Sequence, residues 1–251
     1  MKYALLFLCL QLNPNFADEK LADEKFATEK LWDVYDSILI RHVSSSSRQG
    51  IEVNLVDYAG FQKDPAFAGL VEALRAYPVS TLKSKNEKLA FYINAYNILT
   101  IQLILDHNPK TSIKEIGNFF SGPWDQTVLI NALGELTLDD IEHRIIRPLG
   151  DPRIHFAVNC ASLSCPDLRI EAYRSAVIDA QLEDQTRLFL HQKGKGAFIQ
   201  GKSVFVSKLF SWYKKDFDSR GGVETFIGDY YPETKGKKLK FLDYDWALNK
   251  L

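Results

Sequence analysis

Two cysteines and a histidine lie close together in the stretch HFAVNCASLSCP, residues 155–166. Cysteine thiolates act as nucleophiles and as metal ligands, and a nearby imidazole can take the thiol proton. A Cys-His pair whose imidazole is oriented by a carboxylate or an amide is the minimum for thiol-based acyl transfer. We therefore take Cys160, Cys165 and His155 as candidate catalytic residues.

Neighbouring polar residues offer the third member of such a site. Asn159 directly precedes Cys160, and the predicted helix over residues 138–146 carries Glu142 and His143. Glu142 or Asn159 would orient the imidazole, because a carboxylate or an amide can accept its ring N–H. His143 is a second acid-base candidate.

Spacing along the chain bears on which cysteine reacts. Pro166 suits the first turn of a helix, so Cys165 is expected at a helix N-terminus, where the dipole lowers a thiol pKa. Cys160 follows a predicted strand over residues 154–159 and would lie about 16 Å from His155 in an extended chain. Spacing alone therefore favours Cys165 as the partner of His155.

Two non-catalytic roles compete for these cysteines. Together with His143 and His155 they could ligate zinc, although the spacing departs from the usual Cys-x2-4-Cys pattern. A disulfide between Cys160 and Cys165 would close the ASLS loop, and export to an oxidising compartment favours it. Our prediction includes neither a metal nor a cofactor.

The N-terminal sequence MKYALLFLCLQLNPNFADEK has a lysine, a short apolar run and a polar break, which is typical of a secretory signal. We expect residues 1–17 to be removed and residues 18–251 to form one domain in the periplasm or outside the cell. With 31 Lys+Arg against 32 Asp+Glu, charge indicates neither a nucleic-acid partner nor an anionic membrane. No later stretch reaches the roughly 20 apolar residues of a membrane span. The expected partner is a small-molecule or peptide substrate, and the oligomeric state is left open.

The pattern of elements predicts an α+β fold: one helix-rich domain with a small antiparallel sheet. Residues 86–107 are apolar around nearly the whole circumference, which indicates a helix buried at the domain centre. Asn94 and Asn97 lie in this helix, and buried amides must find hydrogen-bond partners. Other expected elements are an amphipathic helix around residues 31–39, a loop over 44–50, a helix over 64–77, a strand over 127–131, a helix over 172–191 and a hairpin turning at Gly201-Lys202.

Aromatic clusters occur at FFSGPW, residues 119–124, and at FSWY, residues 210–213. Large aromatics most often fill cores, but they also line binding grooves. We take Trp124, Asn94 and His143 as candidate substrate-binding residues. A Gly-rich phosphate loop, a GxSxG elbow and an HExxH motif are all missing from the sequence, which removes support for the activities that depend on them.

Five sequence blocks carry a resemblance to a known family: KLAFYINAYNILTIQLIL, GPWD, LTLDDIEHRIIRP, DPRIHFAVNCASLSCPDL and VSKLFSWYKKDF. In this order they resemble the family catalogued as domain of unknown function 547, over about residues 56–217. That family has no settled biochemical role and is similar to papain-like and transglutaminase-like thiol enzymes. The resemblance implies a catalytic set and supporting residues, which are Cys160, His155 and Glu142, then Asn94, Asn159, His143 and Cys165.

The resemblance favours Cys160 as the nucleophile, whereas spacing favours Cys165. In papain-like enzymes the nucleophile opens the central buried helix, but residues 86–107 contain no cysteine. Either a thiol comes from residues 155–166, or the fold only binds. We expect a thiol-dependent acyl-transfer or amide-hydrolysing enzyme acting on a small peptide-like substrate. The alternative is a non-catalytic binding or scaffold module with a structural Cys160–Cys165 disulfide.

Overall fold

Helices provide most of the regular structure in the computed structural model, which describes residues 14–131 and 134–251. The α-helices are α1 (Pro14–His42), α2 (Tyr58–Lys63), α3 (Pro65–Arg75), α4 (Lys85–His107), α5 (Ile178–His191), α6 (Leu209–Trp212) and α7 (Val223–Tyr230). The strands are β1 (Val43–Arg48), β2 (Ile51–Val56), β3 (Thr127–Asn131), β4 (Gly134–Thr137), β5 (Ala197–Gln200), β6 (Ser203–Val206) and β7 (Lys238–Phe241). The predicted α+β fold is confirmed. Of the predicted leader, residues 1–13 lie outside the described residues.

The strands form three small sheets. β1 pairs with β2, β3 with β4, and β5 with β6, each in antiparallel register, and the β5–β6 pair is the predicted hairpin. β7 joins β6 in parallel, so this sheet is mixed. The loop predicted over residues 44–50 is wrong, because its serines form β1 by pairing with the apolar strand β2. Gln49 and Gly50, with φ of 54° and 79°, make the turn between them.

Helix α4 lies at the centre of the main core, as predicted. Ser84 and Glu87 form a capping box at its start, and Asn108 ends it in the left-handed conformation with φ of 45°. Every residue from Leu89 to Ile101 is buried, so all faces of the helix are packed. By length and composition α4 could cross a membrane. However, 83% of its apolar 18-residue stretch is buried inside the protein, and the core helix of a folded domain can have the same length and composition.

An aromatic second core packs beside the main core. It contains Phe156, Phe189, Phe210, Phe217 and Phe226. Phe156 comes from the 3₁₀ helix Pro152–Phe156, whose Ile154 belongs to the main core. This 3₁₀ segment therefore connects the two cores and carries His155 between them.

The strand predicted over residues 154–159 is wrong. Asp151 accepts the backbone N–H of Arg153 and starts the 3₁₀ helix Pro152–Phe156 instead. The apolar residues of this segment face two cores on different sides, and alternation in the sequence cannot distinguish that arrangement from a strand.

The helix start predicted at Pro166 is also wrong. Residues 157–177 have no helix, and α5 begins at Ile178 rather than at residue 172. Cys165 is consequently not at a helix N-terminus, and the dipole argument for its reactivity does not apply. The helix predicted over residues 138–146 is present as a π-helix, Asp140–Ile146.

Candidate active site

A cavity of about 380 Å³ has walls from both cores. Of the eight residues predicted for the site, six line it: Cys160, Cys165, His155, Glu142, His143 and Trp124. Asn94 and Asn159 are buried outside the lining. Residues far apart in the sequence thus meet at one concave site, which is the usual form of a small-molecule site.

The imidazole of His155 is buried and fixed. Its Nε2 lies 2.8 Å from Asp216 Oδ2, and its ring stacks on Tyr213 with centroids 3.9 Å apart. A carboxylate only accepts hydrogen bonds, so Nε2 carries the proton in the neutral ring. Nδ1 has no hydrogen-bond partner among the described residues. The free basic nitrogen of His155 is therefore Nδ1.

Asp216 was not among the predicted site residues. Arg147 donates to both of its oxygens, from Nε to Oδ2 at 2.7 Å and from Nη2 to Oδ1 at 2.8 Å. Hydrogen bonds from Arg147 and then from His155 hold the pKa of Asp216 well below its usual range. Asp216 thus orients His155, the role that we assigned to Glu142 or Asn159. A signal was present, since Asp216 is the only acidic residue in the block VSKLFSWYKKDF.

Cys160 has the environment of a reactive thiol. It is partly exposed, and its Sγ lies 3.2 Å from the Tyr244 hydroxyl and 3.3 Å from Ser162 Oγ. Burial raises the pKa of the Cys160 thiol, but hydrogen bonds from Cys165, Ser162 and Tyr244 outweigh it and leave the pKa below that of an ordinary thiol. A lowered pKa increases the fraction present as the nucleophilic thiolate.

Cys165 has a different environment. It is buried, and burial raises its pKa well above that of an ordinary thiol. Its Sγ accepts the backbone N–H of Cys160 at 2.7 Å. Both cysteines are free thiols, and no group of three or more His, Cys, Asp or Glu side chains within the described ranges could hold a metal ion. The local chemistry favours Cys160 as the nucleophile, contrary to the spacing argument.

Two buried asparagines shape the loop that carries the cysteines. On α4, Asn97 accepts the N–H of Asn159 at 2.8 Å and donates to the carbonyl of Ala157 at 3.0 Å. The side chain of Asn159 in turn donates to Pro166 O at 2.7 Å and accepts the N–H of Ala161 at 3.0 Å. The central helix therefore positions the cysteine loop through amide hydrogen bonds. This is a structural role, distinct from orienting an imidazole.

Further buried polar groups brace the surrounding chain. Asn94 donates to the carbonyl of Tyr173 and accepts its N–H, both at 2.8 Å, which uses both ends of its amide. Lys195 is 2% exposed, and its Nζ donates to the Cys165 carbonyl at 3.0 Å and pairs with Asp167 at 2.5 Å. Lys195 thus anchors the Cys165 end of the cysteine loop, and Asn94 holds the chain that follows it at Tyr173.

Glu142 and His143 lie side by side in the cavity wall but differ in their partners. Glu142 is 5% exposed, and its Oε1 has no hydrogen-bond partner among the described residues. Burial, then the charge of Glu142 and a side-chain hydrogen bond to Glu142, raise the pKa of Tyr213 well above its usual value. His143 has both nitrogens engaged, with Nδ1 2.7 Å from Arg147 Nη1 and Nε2 3.2 Å from Asp139 Oδ1.

An aromatic cluster forms another wall of the cavity. Trp246 packs edge-on against Trp124 at 5.6 Å, stacks on Trp212 at 5.7 Å and contacts Tyr244 at 4.5 Å between ring centroids. Trp124, predicted to bind substrate, is therefore one of several rings that line the cavity.

Comparison with known proteins gives one match. Residues 79–190 match the family described as Protein of unknown function, DUF547. The matched segment contains Glu142, His155 and both loop cysteines, and it ends before Asp216. No curated protein and no solved structure matches the chain.

Proposed function

Because this chain contains a DUF547 domain, whose description gives no function, we propose an activity from the chemistry of the site. The protein is a thiol-dependent acyl-transfer or amide-hydrolysing enzyme acting on a small peptide-like substrate. Cys160 is the nucleophile, His155 is the general base, and Asp216 orients the imidazole.

The observation that supports this proposal best is a fixed imidazole at a cavity that also contains an activated thiol. Asp216 holds His155 Nε2 at 2.8 Å, and Nδ1 is without a protein partner among the described residues. Cys160 lines the same cavity, and its pKa is lowered. A nucleophile, a base and an orienting carboxylate are the parts that such catalysis requires.

The proposed reaction has two steps. The Cys160 thiolate attacks the amide carbonyl carbon, a C–S bond forms, and the C–N bond breaks as protonated His155 gives its proton to the leaving amine. Water then attacks the thioester, His155 takes a proton from it, and the C–S bond breaks to release the acid and the thiol. If a second amine replaces water, the acyl group is transferred to that amine.

The test of this function compares cysteine variants on a panel of small amino-acid and dipeptide p-nitroanilides. We expect Cys160→Ser to lose at least about 10³-fold in kcat/KM, because an alcohol is a far weaker nucleophile than a thiolate. Cys165→Ser keeps turnover within about tenfold. Full activity in Cys160→Ser would exclude the assigned nucleophile.

Mass spectrometry of non-reduced, alkylated protein tests the alternative function as a binding or scaffold module. In the enzyme we expect two alkylated cysteines, with faster labelling at Cys160 because its pKa is the lower. A linked Cys160–Cys165 peptide, with ligand binding that survives both cysteine substitutions, would favour the non-catalytic module instead.

We propose in addition that the protein is exported. Support comes from the N-terminal lysine, the apolar run that follows it and the polar break before Ala17. N-terminal sequencing of protein from the periplasmic or culture fraction should find a start at Asp18. Protein that keeps Met1 and stays in the cytoplasmic fraction would contradict export.

A further inference from the structure

We propose that the substrate carries a protonated amine, and that Glu142 and the aromatic wall of the cavity bind it. This inference rests on the proposed function, because it names the substrate class for the same cavity. It concerns binding rather than the bond that is cleaved, and it can therefore be tested separately from turnover.

Charge in the cavity favours a cation. Three carboxylates, from Asp125, Asp139 and Glu142, line it, and its described lining contains no lysine or arginine. The nearby Arg147 is engaged by Asp216 and His143. An anionic substrate would be repelled by these carboxylates, whereas an ammonium group would be attracted.

The three carboxylates are not equally available. Asp125 accepts the N–H of Gly122 at 2.7 Å, and Asp139 pairs with His143 at 3.2 Å. Glu142 is the most buried of the three, and its Oε1 has no partner among the described residues. The carboxylate that could serve a ligand is therefore that of Glu142.

A buried carboxylate oxygen without a donor is costly, because water no longer solvates it. The imidazole does not need Glu142, since Asp216 already holds His155. An ammonium group would supply both the opposite charge and the N–H donors, which makes a short, strong hydrogen bond. A bound amine thus accounts for the unused acceptor of Glu142.

The aromatic wall supports the same ligand chemistry. Faces of Trp and Tyr rings attract cations through their negative quadrupole, and tryptophan does so most strongly. Trp124, Trp212 and Trp246 all line the cavity. Trp246 already has one cation contact, since Lys114 Nζ lies 4.0 Å from its ring centroid. The cavity volume of about 380 Å³ suits an amino-acid amide or a short peptide with a free amine.

The experiment measures the rates at which two oppositely charged thiol reagents label Cys160 in the full-length protein. The probes are 2-aminoethyl and 2-sulfonatoethyl methanethiosulfonate, and peptide mass spectrometry assigns the label to Cys160. The ratio of the two rates is divided by the ratio for 2-mercaptoethanol in the same buffer. This normalisation removes intrinsic reagent reactivity, and the thiolate fraction cancels in the ratio.

We expect the normalised ratio to favour the cationic reagent by about tenfold or more, since Coulomb interactions are strong in a poorly solvated cavity. Glu142→Gln should lower this preference by about tenfold. Glu224→Gln, the same substitution at an exposed position on α7, should leave it unchanged. Equal normalised rates for the two reagents in the wild type would overturn the proposal. So would a preference for the cationic reagent that Glu142→Gln does not alter.

A binding measurement keeps the proposal testable if Glu142→Gln does not fold. L-alaninamide should protect wild-type Cys160 from iodoacetamide at a concentration at least about tenfold lower than the neutral N-acetyl-L-alaninamide. Equal protection by the two amides would also overturn the inference. Neither measurement requires turnover, so the two proposals can fail separately. A protein that prefers the cationic reagent but has no turnover would refute the proposed function alone. A protein that has turnover but no charge preference would refute the substrate class alone.

Discussion

Asp216 determines which nitrogen of His155 is basic. Its carboxylate accepts from Nε2 and leaves Nδ1 unprotonated in the neutral ring. Asp216→Asn can donate to Nε2 and favour the other tautomer, so we expect kcat/KM to fall by about 10²–10⁴-fold. Steady-state kinetics on the p-nitroanilide panel measures this loss. Asp218→Asn, at an exposed position in the same 3₁₀ helix, is the matched control and should stay within about twofold. Equal activity in the two variants would exclude Asp216 as the orienting residue.

The hydroxyl of Tyr244 lies 3.2 Å from the Cys160 sulfur. Tyr244→Phe keeps the ring but removes the hydrogen bond, which is worth about 1.5 kcal/mol to a charged acceptor. The Cys160 pKa should rise, and iodoacetamide labelling at pH 7 should slow by about tenfold. Tyr231→Phe is the control, because Tyr231 does not line the cavity that contains Cys160. A labelling rate in Tyr244→Phe equal to that of the wild type would show that this hydroxyl does not stabilise the thiolate.

Single residues of the site were predictable where their type alone is informative. Cys160 and His155 are distinctive because thiols and imidazoles are few in this sequence. Asp216 was missed because it lies 61 residues from His155, and aspartates are common on surfaces. Its place as the only acid in the block VSKLFSWYKKDF was a signal, but its contacts with Arg147 and His155 are a property of the folded chain.

At the scale of elements, α4 supports the cysteine loop through Asn97. Asn97→Ala leaves the N–H of Asn159 and the carbonyl of Ala157 without partners. Each unsatisfied buried group costs about 1–3 kcal/mol, so we expect the free energy of unfolding to fall by about 2–4 kcal/mol. Urea unfolding followed by circular dichroism measures this loss.

A substitution on the same helix provides the control for Asn97. Among the described residues, the side chain of Gln102 bonds to that of Asp106, one turn further along the helix, and this pair is exposed. Gln102→Ala should therefore change stability by no more than about 0.5 kcal/mol. If both variants lose the same small amount, then the amide of Asn97 is not what holds the loop.

The predictability of elements depended on their packing. α4 is buried on all faces, and the β5–β6 hairpin has a turn sequence between apolar strands, so both appear in the pattern of residues. The 3₁₀ helix Pro152–Phe156 was mistaken for a strand because its side chains pack into two cores. Pro166 suggested a helix start, but hydrogen bonds from Asn159 and Lys195 hold this region in an irregular conformation.

At the scale of the whole molecule, the site extends beyond the segment that matches the family. Residues 79–190 supply the thiol and the imidazole, whereas Asp216 and much of the aromatic wall follow that segment. Sequence reasoning could identify the first group from its motif. Asp216 and Tyr213 could not be assigned in this way, since they become neighbours of His155 only in the folded chain.

The Arg147–Asp216 ion pair joins these two parts of the chain. It is bidentate and about three-quarters buried, with 29% and 22% of the two side chains exposed. Arg147→Met leaves the largely buried Asp216 carboxylate without its main partner, and we expect the free energy of unfolding at pH 6 to fall by about 1–3 kcal/mol. Arg144→Met in the same π-helix, where the side chain is 75% exposed, should cost no more than about 0.5 kcal/mol.

The pH dependence of this loss follows from Asp216. Its pKa in the folded protein lies below the value of about 4 in an unfolded chain. A depressed carboxyl pKa stabilises the fold fully above the unfolded-state value, and the contribution is lost as pH falls toward the folded-state value. The stability difference between wild type and Arg147→Met should therefore be constant from pH 6 to about pH 5 and shrink below about pH 4. Urea unfolding at several pH values measures it, and a difference that does not shrink in acid would show that Arg147 stabilises the protein by packing rather than by its charge.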